Sequence, residues 1–464
     1  MSKTNRSFEG KKVTVFGVKK SGRAAIELLI QNGAKVYATE KSAEIDSNLV
    51  IWLEDLGVPF ELGFHSRKAI DGKDLIVLSP GVDPNIPILK DARKNHIPII
   101  GEIELAYQFS DASFLAVTGT SGKSTTVELI GKIIGAHQAH VYVCGNIGIP
   151  ISEIISANRC RSSLIVEVSS FQLETIQKFK PKVAVFLNFT QDHLDRYLSM
   201  DAYFNAKMKI FENQTKDDFA LLNADSEPLR QINLQNQQVY TFSLTKPVER
   251  GFFLRGSRIV IREPNKEDVF INCKQFRLPG LHNKMNAVSA VGASYLFLGD
   301  QFNKEKTEKA LGDFKGLEHR FEYIDTYLGV EFINDSKSTK PQSTIVALNC
   351  ITKPTILIVG GSEKGNDYSE MIGTIAKNPL IKYVVITGKT QKKMKSGFES
   401  LGFKKYKTTP TFKSAVFEAI ARAREGDLVL LSPACASFDE FRDFEDRGEY
   451  FKKLVHHIYS SKEK

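Results

Sequence analysis

The sequence predicts an α/β protein made of three parallel-sheet domains, and three observations carry that prediction. A chain of 464 residues with 42% hydrophobic content is long enough for about three separately packed cores. Short β-branched runs recur at residues 13–17, 75–79, 115–119, 164–168, 183–188, 356–360, 383–387 and 428–432, each running into small or polar loop residues and then a helical pattern. No period of 20 to 50 residues repeats, which excludes a solenoid or propeller. Strands alternating with helices in this way form parallel sheets, and ligands then bind beyond the carboxyl ends of the strands.

Composition narrows the class. With 25% charged residues, 32 glycines and 16 prolines the chain is neither disordered nor collagen-like. Its longest apolar runs, such as 183–187 and 428–431, have strand length and fall short of the ~20 residues of a membrane span. The basic N-terminus lacks an apolar segment before the first strand, so no secretory signal and a cytoplasmic location are expected. Cys144, Cys160, Cys273, Cys350 and Cys435 are scattered, with no C-x-x-C pair for zinc or redox chemistry. The net charge of +9 comes without a Lys/Arg block interleaved with aromatics, which favours an anionic small molecule over nucleic acid.

In chain order, the first block, residues 1–109, holds two βα units and closes on a helical segment at 102–109. Its turn Gly17-Val-Lys-Lys-Ser-Gly22, with Glu40 at the end of the next strand, is similar to a dinucleotide fingerprint. Lys19 stands where the middle glycine would let a pyrophosphate approach, so a nucleotide diphosphate fits better than a nicotinamide cofactor. The second block, 110–316, opens on a strand and Gly119-Thr-Ser-Gly-Lys-Ser-Thr125, then a helical pattern. Glycines there allow backbone amides to converge on phosphates, Lys123 meets the terminal phosphates and Ser124 can ligate magnesium. Glu167 and Asn188 end strands beside that loop, and His193, in company with Asp192 and Asp195, follows Asn188; a carboxylate, an amide and an imidazole there supply hard ligands for a phosphate-bound metal. In the helical segment 201–212, Lys207 falls on the stripe of Phe204, Met208 and Phe211, which predicts a partly buried amine of lowered proton affinity. Short strands and turns are expected over 242–276 and a helix over 283–298. The third block, 317–464, follows the linker Gly312-Asp-Phe-Lys-Gly316 and offers three strand-end loops, 334–339, 360–365 and 432–439, whose Lys337, Lys364, Thr339 and Ser437 suit a small carboxylate substrate.

Together with Gly145-Asn-Ile-Gly, Asn205-Ala-Lys, Gly280-Leu-His-Asn-Lys-Met-Asn286, His319-Arg-Phe-Glu, Asn334-Asp-Ser-Lys and Ser432-Pro-Ala-Cys-Ala-Ser, these motifs resemble the Mur ligase family from about Gly10 to the C-terminus. His319-Arg-Phe-Glu and residues 432–444 resemble the branch that joins D-glutamate to UDP-MurNAc-L-Ala. The resemblance implies a Rossmann-like N-terminal domain for the UDP-sugar, a P-loop central domain for ATP and a Rossmann-like C-terminal domain for D-glutamate. It implies UDP-sugar contacts from Ser21, Gly22, Glu40, Lys41, Ser42, Ser79, Gly81 and Asn146. ATP contacts are implied for Gly119, Thr120, Ser121, Gly122, Lys123, Ser124, Thr125, Asn283, Asn286, Arg320 and Asp335, and D-glutamate contacts for Lys337, Thr339, Lys364, Ser437 and Phe444. Of two implied Mg2+ ions, one would be held by Ser124 and Glu167, the other by His193 and Lys207 as its carbamate; Lys123, Asn146, His193 and Lys207 form the implied catalytic set. The implied partners are these small molecules alone, without nucleic acid or membrane, and a monomer is expected. A sibling ligase adding a different amino acid is the alternative.

Overall fold

The computed structural model describes residues 8–44, 46–157, 162–192 and 196–460. Each of the three regions forms its own sheet. The first comprises β1 (Lys12–Phe16), β2 (Lys35–Glu40), β3 (Phe60–Leu62), β4 (Leu75–Leu78) and β5 (Ile99–Gly101), all parallel, in the order β3-β2-β1-β4-β5. Where the sequence suggested two βα units, the sheet has five strands. β3 and β5 are only three residues long, too short to leave a period in the sequence.

The second sheet holds β6 (Ser113–Thr118), β7 (Val141–Gly145), β8 (Ser163–Glu167), β9 (Val183–Phe186), β10 (Phe219–Asn223), β11 (Gln238–Ser243), β12 (Gly251–Arg255), β13 (Arg258–Arg262) and β14 (Val269–Asn272). Its order is β14-β13-β12-β11-β10-β9-β6-β8-β7. It is parallel from β7 to β12 and antiparallel over β12, β13 and β14, the region expected to be short strands and turns. The third contains β15 (Glu322–Tyr327), β16 (Val330–Asn334), β17 (Thr355–Gly360), β18 (Ile381–Thr387), β19 (Tyr406–Thr408) and β20 (Leu428–Leu431), ordered β15-β16-β20-β17-β18-β19 with only β15 antiparallel.

The chain divides into two compact units, one of Met1–Phe276 with Leu281–Phe314, the other of Arg277–Gly280 with Lys315–Lys464. The first two sheets share a unit because one apolar core runs through both. Tyr107, Phe114 and Phe179 meet edge-on at the junction, with ring centroids 5.4 to 5.6 Å apart. Beside them the buried Glu104 carboxylate accepts the N–H groups of Gln177, Lys178 and Phe179 at 2.8 to 2.9 Å, so the helix Glu102–Gln108 is fastened to the second sheet's connections. Among the described residues no helix is long and apolar enough to cross a membrane.

Candidate active site

In the first unit, β6 delivers the phosphate loop. Gly119 and Gly122 take φ of +152° and +82°, and Gly122 is the N-cap of the helix Lys123–Gly135. A Cβ at Gly122 would lie 2.5 Å from Oδ1 of Asn286, so glycine also provides the close approach there. Asn283 and Asn286 are both buried; Asn286 donates to Asn283 Oδ1 at 3.3 Å and accepts from the Thr126 hydroxyl at 3.3 Å, which sets the helix Leu281–Leu298 against the base of the loop. Lys123 folds back on its own loop, its Nζ donating to the carbonyls of Gly119 at 2.9 Å and Thr120 at 3.0 Å.

Parallel pairing of β8 with β6 and β7 brings the next groups alongside. Glu167, 2% exposed, accepts the Ser124 hydroxyl at 2.7 Å on Oε2 and the Asn146 amide at 2.8 Å on Oε1. Ser124, Glu167 and Asn146 thus form one chain of polar groups, with a buried carboxylate at its centre.

Lys207 is 2% exposed, and its Nζ donates to the same Gly119 carbonyl, at 2.9 Å, while lying 4.8 Å from the Tyr203 ring centroid. Burial, reinforced by the positive charge of Lys123, pulls its pKa down to about 7 against the opposing pull of Asp192 and Glu167. The expected burial is therefore present, but the stripe differs. Tyr203, Ala206, Lys207, Ile210 and the predicted Phe211 form the buried face, whereas Phe204 and Met208 are half-buried. The helix Met200–Met208 also tightens into a 3₁₀ turn, Lys209–Phe211, which changes the phase of the residues that follow. Asn188, a candidate ligand on sequence, has both atoms of its carboxamide engaged by the backbone of Ser121. His193 and Asp195 lie outside the described residues.

At the edge of the first sheet, the adjacent strands β2, β1 and β4 carry Glu40 to Ser42, the 17–22 turn and Ser79 to Gly81 to one end. Gly22 is there because a Cβ would fall 1.8 Å from the Gly17 carbonyl oxygen, which also accepts the Ser79 hydroxyl at 2.7 Å. The Glu40 carboxylate bridges the turn, accepting from Val18 N–H and Ser42 N–H at 3.1 Å each. Ser21 is half-buried, and Lys41 and Gly81 are exposed.

In the second unit, the three predicted loops follow the neighbouring strands β16, β20 and β17 and are tied together. Ser362 donates its N–H to the Ala436 carbonyl at 2.8 Å, and Ser432 donates its hydroxyl to Asp335 at 2.7 Å. Ser437 is buried, Thr339 and Lys337 are half-buried, and Lys364 is exposed. Lys337 lies 5.5 Å from the Phe444 ring centroid and Lys364 4.8 Å from that of Phe438. Asp335 is enclosed: its carboxylate accepts Ser338 and Ser432 hydroxyls and the Phe321 N–H, and burial raises its pKa to about 6. Arg320 is half-buried, and its charge pulls the Asp335 pKa back down.

Sequence reasoning missed Arg447. Its guanidinium, 2% exposed, donates to the Ser336 hydroxyl and carbonyl and to the carbonyls of Cys435 and Ala436, at 2.8 to 3.4 Å, and so clamps the 334–339 loop to the 432–439 loop. An arginine in a helix otherwise reads as surface charge, and its position three residues after Phe444 was the one available signal.

Three family models match the chain: a Mur ligase MurD-like N-terminal domain over residues 11–101, a Mur ligase middle domain over 117–294 and a Mur ligase glutamate ligase domain over 319–435. Proteins named UDP-N-acetylmuramoylalanine–D-glutamate ligase are similar along nearly the whole length. That of Lachnoclostridium phytofermentans is 39% identical over 97% of this chain and 99% of its own, and that of Clostridioides difficile 37% over 97% and 99%. Among solved structures, the fold is similar to a UDP-N-acetylmuramate–alanine ligase from Thermotoga maritima, with TM-score 0.58, 19% identity and 97% and 99% of the two chains covered. It is also similar to MurF from Acinetobacter baumannii, with TM-score 0.59, 17% identity and 99% and 92% covered. Matching models across all three sheets and full-length identity near 39% assign the chain to the Mur ligase family.

Proposed function

We propose that this protein joins D-glutamate to UDP-MurNAc-L-Ala at the expense of ATP, a cytoplasmic step in making peptidoglycan precursors. The observation that carries this reading is the meeting of Lys123, Lys207 and the Ser124–Glu167 pair around the Gly119 turn, in a chain similar end to end to ligases of that name. Residues 1–109 would serve the sugar nucleotide, and residues 110–316, with Arg320 and Asp335, the ATP. Residues 317–464 would take the amino acid.

The donors at the phosphate loop fit magnesium: a hydroxyl and a buried carboxylate 2.7 Å apart are hard oxygen ligands beside a phosphate cradle. Ser124 and Glu167 would hold one ion, and His193 with Lys207 as a carbamate the second. Magnesium when bound supplies positive charge that offsets the phosphates. Lys123 would exchange its bonds to the Gly119 and Thr120 carbonyls for the terminal phosphate, whose charge it balances as the L-alanyl carboxylate attacks in line. ADP is the leaving group and an acyl phosphate forms. Asn146, already held by Glu167, would orient the peptide end of the sugar. Lys337, Thr339, Lys364 and Ser437 would hold the D-glutamate carboxylates so that its neutral amine adds to the acyl carbon, gives up a proton to His193 or a nearby carboxylate and expels phosphate.

Phosphate release from ATP is measured with magnesium, UDP-MurNAc-L-Ala and single amino acids, both glutamate enantiomers included. Release that depends on D-glutamate is expected. Dependence on a different amino acid would redirect the third-region assignment to a sibling ligase, and release with none would remove the ligase reading.

A further inference from the structure

The phosphate loop is laced to the segment after β9 by more than the strand ladder. Thr120 donates its N–H to the Asn188 carbonyl at 3.1 Å. Its hydroxyl donates to the Thr190 carbonyl and accepts the Thr190 N–H, each at 3.1 Å. One residue on, the side chain of Asn188 continues the pattern: Oδ1 accepts the Ser121 N–H at 2.9 Å and Nδ2 donates to the Ser121 carbonyl at 3.0 Å. A carboxamide carries the same donor and acceptor as a peptide group, so Asn188 acts as one more rung where the strand itself has ended. Gly119 lets this happen, since a Cβ there would stand 3.1 Å from the Leu187 side chain and 3.4 Å from the Asn188 backbone.

We propose that Asn188 is a positioning residue for nucleotide binding, clasping residue 121 so that the phosphate loop keeps its receptive shape and stays in register with the segment leading to Asp192. Both ends of its carboxamide are used, so its contribution is made through Ser121. A glycine-containing loop loses backbone entropy when it orders around phosphates, and a clasp present before binding removes part of that cost. An aspartate at 188 would keep the acceptor and lose the donor, and an aliphatic residue would lose both. The same lacing ties the shape of the phosphate loop to the stretch that carries Asp192, whose charge acts on Lys207.

This inference rests on the nucleotide reading, and its test separates the two. The full-length protein and its Asn188→Leu and Asn188→Ala variants are titrated with MgADP by calorimetry, and hydrogen exchange is followed across residues 119–125 without nucleotide. Removal of two hydrogen bonds is expected to weaken MgADP binding about tenfold and to raise the KM for ATP by a similar factor. The KM values for the UDP-sugar and D-glutamate and the melting temperature should hold, while amide protection at 120–122 falls. A merely structural role would instead lower the melting temperature and all three affinities together. A folded variant that binds MgADP within about twofold of the parent overturns the proposal, and Asn188→Ala decides if Asn188→Leu does not fold. A parent protein that does not bind MgADP overturns the nucleotide reading itself.

Discussion

Lys207 shows what a single residue contributes to this site. Its amine is held out of water against the Tyr203 ring, at a carbonyl that Lys123 also reaches, so desolvation and like charge both favour the neutral form. Replacement with Met keeps the length of the chain and the packing, removes the desolvated amine and, until Lys123 turns to the terminal phosphate, leaves the Gly119 carbonyl with Lys123 as donor. Lys207→Met is therefore expected to keep its melting temperature and to bind MgADP within about fivefold of the parent, while kcat for phosphate release falls by about 100-fold or more. A variant with near-normal kcat would mean that the amine serves packing alone. The burial of Lys207 and of Phe211 was legible from helical spacing, but that of Tyr203, Ala206 and Ile210 was not. Periodicity over a short helix fixes a face only to within a residue, and the helix tightens into a 3₁₀ turn after Met208.

At the scale of elements, the loops that follow β16, β17 and β20 owe their arrangement to a group far along the chain. Lys337, Thr339 and Ser437 were legible because each sits where a strand ends, and the parallel order of β16, β20 and β17 puts those ends side by side. Arg447 was not, since nothing in a single sequence says that a helical arginine points inward to satisfy carbonyls. Four donor contacts from one planar guanidinium span both loops, a geometry that the point charge of a lysine cannot copy. Arg447→Lys and Arg447→Met are both expected to raise the KM for D-glutamate about tenfold or more, with the KM for ATP changed by less than about threefold. Initial rates at varied amino acid and varied ATP separate the two, and an equal rise in both would show a general loss of order. The short strands β3 and β5 were missed for a related reason: three residues carry no period, and their place is set by neighbours in the sheet.

At the scale of the molecule, the sequence reading separated residues 1–109 from 110–316, while packing joins the first two sheets through the Tyr107, Phe114 and Phe179 rings and the Glu104 carboxylate. Strand-end motifs are local and visible in a sequence, whereas a core shared between two sheets arises from contacts across long separations and is not. This division has a chemical consequence. The residues proposed for phosphoryl transfer, Lys123, Ser124, Glu167 and Lys207, belong to one unit, and those proposed to hold the attacking amino acid, Lys337, Thr339 and Ser437, to the other. Formation of the acyl phosphate and its capture by the amine should therefore be separable by mutation. With ATP carrying 18O in the β–γ bridge, reversible acyl phosphate formation moves the label to a non-bridging β-position through rotation of the ADP phosphate, without D-glutamate present. Lys337→Ala is expected to cut net ligation by about 100-fold yet leave this exchange within a few-fold of the parent, because its charge is needed only for the amino-acid carboxylates. Lys123→Ala should abolish both, since the charge it balances develops in the first step. Loss of exchange in Lys337→Ala would show that the amino-acid loops also act on phosphoryl transfer, and the chemistry would then be a property of the two units together.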